Sequence, residues 1–215
     1  QRQMCIRDRF YPANTTITGA SVPTATAVTD DFGDYIIPDG LTERAYIVKS
    51  EGGFDIATEN LDPTTVYPSL TDTNNQTNPI DNPLGNMYYG YPRFISFSAF
   101  VNLDPVNPYV PKNINVLTTM VATKIEKKVS DAAAFGGTFS AEILVNDTED
   151  AIENIKTNLG LPPTVDIADD YLSAEVQDVQ LAEAVTLVTT ITNAVEQNTT
   201  QSFNETLEGL SSLIT

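Results

Sequence analysis

The chain has 215 residues, 41% of them hydrophobic, which allows a packed core in one large or two small domains. Its 29 acidic residues against 11 basic ones give a net charge of −18, which argues against phosphate-directed binding of nucleic acid and against docking on anionic lipid. With no His and one Cys it has no imidazole for a Ser-His-Asp or Cys-His nucleophile, no intrachain disulfide and no Cys cluster for zinc.

The opening string QRQMCIRDR, Gln1 to Arg9, has no initiator Met at position 1 and no apolar signal-peptide core. It resembles the conceptual translation of a sequencing adapter at the end of a metagenomic contig, so residues 1–9 are expected to be a non-native artefact outside the fold. Removing Arg2, Arg7, Arg9, Asp8 and Cys5 with it leaves a charge of −20 and no thiol. From Phe10 to Lys112 the chain is rich in aromatic residues and proline, with short β-prone runs between turn residues. Thr15 to Val22 reads as a strand interrupted at Gly19, and Thr24 to Thr29 as an alternating strand. A turn at Asp30–Asp34 leads into a hairpin partner from Tyr35 to Ile37, and Pro38-Asp39-Gly40 is the next turn. Arg44 to Lys49 is the clearest strand. Residues 58–84, rich in Asn, Asp, Thr and Pro, read as a long surface loop. Tyr88 to Val101 returns to β character, and Asp104 to Lys112, with three prolines, reads as an extended linker.

From Asn113 to Thr215 apolar residues recur at helical spacing, and four helices are expected. The first covers Val116 to Ala134, with Leu117, Met120, Val121, Ile125 and Val129 as its stripe. The second starts near Thr148 as N-cap and stops at Gly160, where glycine supplies φ > 0 and Pro162 forbids continuation. The third spans about Ala174 to Gln197 and the fourth about Ser202 to Leu213. No apolar run approaches the roughly 20 residues that span a bilayer, so no membrane insertion is expected in this segment. The fold class is therefore α+β, a β domain over 10–112 followed by a helical domain over 113–215.

Two stretches resemble known families. Ile17 to Ile37 is similar to the carboxypeptidase regulatory-like and related bacterial immunoglobulin-like modules, whose T-D-x-x-G-x-Y hairpin reads here as Thr29, Asp30, Gly33 and Tyr35. KSEGGFDIATENL (Lys49 to Leu61), NVLTTMVATKI (Asn115 to Ile125) and NLGLPPTVDIADDYL (Asn158 to Leu172) together resemble a recurring module of large bacterial surface proteins described as adhesin-like. Glu59 stands where that pattern usually has Gly, and Val116-Leu117 replaces its Thr-Pro-Leu opening. The resemblance implies an immunoglobulin-like or transthyretin-like β-sandwich ahead of the helical cluster. It also implies a non-enzymatic structural or adhesin-type role at the cell surface or outside the cell. The partners implied are neighbouring domains of a longer chain and cell-surface glycans or proteins.

The residues with chemistry to offer have structural explanations beside functional ones. Asp30, Asp31 and Asp34 cluster in one turn and could hold calcium, but they lack the spacing of an EF-hand, and a hairpin turn with solvated acids is the commoner arrangement. Asp166, Asp169 and Asp170 form a second cluster, in which Asp169 or Asp170 reads as the cap of a short turn of helix at Tyr171-Leu172 rather than as a metal ligand. Tyr88, Tyr89 and Tyr91 could stack on a sugar, whereas a Tyr-rich strand end is the bland alternative. Gly53 and Asp55 read as a structural strand end, as do Gly33 and Tyr35 in the hairpin and Gly160 at the helix stop. No cofactor is called for except the possible calcium. The alternatives to a structural module are a carbohydrate- or calcium-dependent binding module and an accessory domain of a larger secreted hydrolase.

Overall fold

The computed structural model describes residues 2–4, 7–28, 37–51, 54–56, 90–91, 97–169 and 178–214. Seven strands and four helices lie among them: β1 (Arg2–Met4), β2 (Arg7–Pro12), β3 (Ala25–Val28), β4 (Ala45–Glu51), β5 (Phe54–Ile56), β6 (Gly90–Tyr91), β7 (Phe97–Asn102), α1 (Val116–Ala134), α2 (Ala141–Leu159), α3 (Val179–Asn198) and α4 (Phe203–Ile214). The class is mixed α+β. A four-stranded antiparallel sheet has the order β3-β2-β4-β7, and a smaller three-stranded one the order β1-β5-β6. A second sheet packed face to face with the four-stranded one is not defined among the described residues.

Strand β4 occupies an interior position because its alternation works on both faces. Ala45 and Ile47 point to one side, where they join Ala13, Phe100, Ala122, Ile125, Val129 and Leu144 in a shared core. Tyr46 and Val48 point to the other, where they pack with Phe10 and Val101 against Ala25, Ala27, Ile37, Leu41, Leu103 and Ile114. The Tyr46 hydroxyl accepts the Thr42 and Glu43 N–H groups at 3.0 and 2.8 Å, so its polar end is satisfied within the β4 approach. A larger core inside the helical layer joins Leu117, Met120, Ile155, Ile167, Leu181, Phe203 and Leu207.

The core runs across the 112/113 boundary at which composition changes. Helix α1 lies on the sheet through Ala122, Ile125 and Val129, and Phe97 of β7 meets Phe203 of α4 edge-on at 6.2 Å. The segment read as a linker is held in place as well. Asn102 and Tyr109 exchange backbone bonds of 2.8 Å, and Arg44 pairs with Asp104 at 2.6 Å. Val106 and Asn107 donate their N–H groups to Asp104, which with the Arg44 charge holds its carboxyl below the usual carboxylate range.

Three expectations differ from what is observed. First, β2 crosses the 9/10 boundary: Arg7, Asp8 and Arg9 pair with Val28, Ala27 and Thr26 on one side and with Glu51, Ser50 and Lys49 on the other. Residues 7–9 thus contribute half of an interior strand, and β3 takes β2 as its partner. Secondly, residues 15–22 form no strand. A local turn closes them instead, with Ser21 N–H donating to Thr18 O at 2.9 Å and Thr18 N–H to Ser21 Oγ at 2.9 Å. Thirdly, α2 begins two turns before Thr148, capped by Ser140, whose Oγ accepts the Ile143 N–H. Thr148 is buried inside this helix and donates its hydroxyl to Leu144 O at 2.8 Å. Helix α1 has the expected bounds, and Gly160 ends α2 in the left-handed region at φ 69°.

Candidate functional site

Much of the residue set singled out from the sequence falls outside the described residues: Asp30, Asp31, Asp34, Gly33, Tyr35, Gly53, Tyr88 and Tyr89, together with the loop at 58–84. Asp55 and Tyr91 are paired neighbours on β5 and β6, and Asp55 also faces Gln3 of β1. In the second acidic cluster, Asp166 accepts the Ala168 N–H at 3.0 Å and Asp169 pairs with Lys112 at 2.6 Å. Both are therefore engaged in local structure. Among the described residues no group of three or more His, Cys, Asp or Glu side chains could hold a metal ion.

Among the described residues, Asp8 is the most perturbed carboxylate. Its side chain is 0% exposed in the middle of the sheet, where β2 sits between β3 and β4. Ser50 Oγ donates to Asp8 Oδ1, and Oδ2 has no partner among the described residues. Burial pushes the carboxyl up from 3.8 to about 6, with the Ser50 hydrogen bond pulling in the opposite direction.

Polar bonds also cross between the layers. Lys49 Nζ, on the helix-facing side of β4, pairs with Glu126 Oε2 of α1 at 2.7 Å. Burial raises the Glu126 carboxyl, the Lys49 charge opposes that, and Glu208 of α4 adds to the rise. The Ser98 N–H of β7 donates to Thr119 Oγ1 of α1 at 2.9 Å, and that hydroxyl donates to Asn115 O at 2.7 Å. Asn115 caps α1 through Oδ1, which accepts the Leu117 and Thr118 N–H groups, and its Nδ2 donates to Ile167 O at 2.8 Å. Ser211 of α4 donates to Met120 O at 2.7 Å.

Among the described residues, three lysines of α1 lie close together with carboxylates beside them. Lys124, Lys127 and Lys128 follow one face of α1, and with Asp131, Ala132, Phe135 and Phe139 they line a shallow groove that is wide open to solvent. Lys127 pairs with Asp131 at 3.0 Å, and Lys128 with Asp147 of α2 at 2.5 Å. Lys128 Nζ also lies 5.0 Å from the centre of the Phe139 ring. Phe135 is the C-cap of α1 and is 94% exposed. Gly136, at φ 75°, turns the chain just after it. No family model, curated protein or solved structure matches the chain.

Two of these features went unpredicted. Asp8 was excluded with the opening string. The groove had a signal in the sequence, since three of the few Lys and Arg residues fall within five positions, TKIEKK, followed by two Phe residues. Helical periodicity brings those lysines to one face, and the helix stop after Ala134 leaves the first Phe at its end.

Proposed function

We propose that the chain is a non-enzymatic structural module, of adhesin type, in a secreted or cell-surface bacterial protein. The observation that carries this reading is where the buried and half-buried polar groups spend their bonds. Thr119 ties the helix layer to β7, Lys49 and Glu126 tie β4 to α1, and Asn115 and Ser211 fasten α1 to the Ile167 turn and to α4. Buried groups that bridge layers make strand and helix segments yield together, which suits a part that transmits force or holds neighbouring domains at a set spacing. The acidic surface fits the same role, because like charge keeps copies apart in solution.

The finer fold in this proposal is an immunoglobulin-like or transthyretin-like sandwich. It is supported by the two-sided burial of the four-stranded sheet, whose Phe10–Tyr46–Val48–Val101 face is as well covered as the face under α1. The role is tested by pulling the chain between its ends in a single-molecule force experiment. One cooperative rupture that includes sheet and helices is the expected result. Helices that peel off at low force before the sheet yields would refute the reading. A melting temperature that rises on adding calcium would move the assignment to a calcium-dependent binding module.

A further inference from the structure

Five asparagines stand in Asn-x-Thr sequences, the pattern at which a transferase joins a sugar to the asparagine amide. Asn75 lies outside the described residues, and the structure separates the other four. An amide nitrogen is a weak nucleophile, so the enzyme must grip the acceptor through the hydroxyl two residues on, on a stretch it can reach at the surface. Asn146 sits inside α2 and Asn204 in the first turn of α4. Their hydroxyls are spent within the fold. Thr148 is buried and donates to Leu144 O at 2.8 Å, and Thr206 is buried and donates to Ser202 O at 3.0 Å. Asn198 closes α3 with its Nδ2 donating to Ala194 O at 2.7 Å, so there the reacting atom itself is engaged.

Asn14 differs in each respect. Ala13 is buried and donates its N–H to Ala45 O at 3.0 Å, which anchors the chain at the end of β2. Asn14, Thr15 and Thr16 follow, all exposed and outside helix and strand. Thr15 makes the local turn, bonding Pro12 O through its N–H at 3.2 Å and its Oγ1 at 2.8 Å. Neither the Asn14 amide group nor the Thr16 hydroxyl bonds another described residue. No charged residue stands between Asn14 and Thr24, whereas Asn146 and Asn204 are each followed by an acid. A nucleotide-activated sugar is an anion, so on a chain of net charge −18 an uncharged stretch opposes its approach least.

We infer that Asn14 is an acceptor of an N-linked hexose, transferred to the folded chain from a nucleotide-activated donor. A bond forms between Asn14 Nδ2 and the sugar C1. The bond from C1 to the donor's diphosphate oxygen breaks, its electron pair leaves on the nucleotide, and a base of the transferase takes the amide proton.

The test is incubation of the folded chain with a soluble asparagine glucosyltransferase that reads Asn-x-Ser/Thr, and with nucleotide-activated glucose. Peptide mass spectrometry reads the occupancy of each asparagine. Asn14 is expected to gain hexose at least about tenfold faster than Asn146, Asn198 or Asn204, whose helices must open first. Asn14→Gln and Thr16→Ala each abolish that transfer, and Thr16→Ser retains it. Unchanged melting curves check that the variants fold. An Asn14 left bare while a synthetic peptide of residues 11–18 is modified overturns the proposal. So does transfer to the folded chain that favours one of the three helical sites, or transfer to Asn14 that persists in Thr16→Ala.

Discussion

Asp8→Asn isolates the cost of burying a charge inside the sheet. The carboxyl titrates near 3.8 when unfolded and at about 6 in the fold, because β3, β2 and β4 exclude water and Ser50 supplies a single hydrogen bond. The folded state therefore holds the proton more tightly. Below the unfolded pKa both states are protonated and Asp8 costs nothing. Between about pH 4 and 6 the folded state loses that advantage, and above pH 6 the full penalty applies, about 3 kcal/mol at 1.36 kcal/mol per pKa unit. An asparagine occupies the same space without charge. Its amide N–H groups carry their own burial cost of about 1–3 kcal/mol, but that cost does not change with pH. The discriminating quantity is thus the change in unfolding free energy between pH 4 and pH 7.5, read from urea titrations followed by far-UV circular dichroism. The other acids titrate alike in both proteins and cancel. The parent chain is expected to lose about 2 kcal/mol more than the variant over that interval, because part of the penalty is already present at pH 4. Parallel stability curves for the two proteins would refute the reasoning and would mean that water reaches Asp8.

Further outcomes follow from the ties between layers. Lys49→Met leaves Glu126 without its cation beside the sheet and is expected to cost about 2–4 kcal/mol at pH 7 in urea unfolding, with a smaller cost in acid as Glu126 takes up a proton. Thr119→Val removes the acceptor of the Ser98 N–H, for a loss of about 1–3 kcal/mol and faster hydrogen exchange at that amide. Gly160→Ala meets no neighbouring atom, so its expected cost is the left-handed backbone alone, about 1 kcal/mol by thermal unfolding. Deletion of residues 1–9 strips the pairing from half of β4 and exposes a strand edge. Aggregation on refolding is expected and is measured by light scattering.

The helices were legible where packing and capping spoke together. In α1 the apolar stripe gives the observed bounds, and at Gly160 the residue type most at ease with φ > 0 stands where α2 ends. The start of α2 was not legible. Asn146, Asp147 and Thr148 are weak helix formers that read as a break, yet inside the fold Asp147 finds Lys128 and Thr148 finds Leu144 O, so tertiary bonds override local preference. The sheet was legible at β4, whose apolar residues alternate, but not in its neighbours. Which strands flank β4 is decided by long-range pairing, and β2 overlaps a string excluded for its resemblance to an adapter. The groove depended on three lysines meeting two phenylalanines across a turn. That is a three-dimensional coincidence, of which the sequence shows only the clustered charge.

The strand order has a kinetic consequence. Strand β4 must find β2 and β7, whose residues lie roughly 35 to 55 positions away, while α1 and α2 are consecutive and meet through a short connection. Helices form in microseconds, whereas sheets built on such distant pairings close in milliseconds to seconds. During that interval the α1 surface carrying Ala122, Ile125 and Val129 has no sheet to cover it. The amide of Ile47, inside β4, reports when the wait is over: in pulse-labelling hydrogen exchange its protection should come well after the helical dichroism has reached its final value.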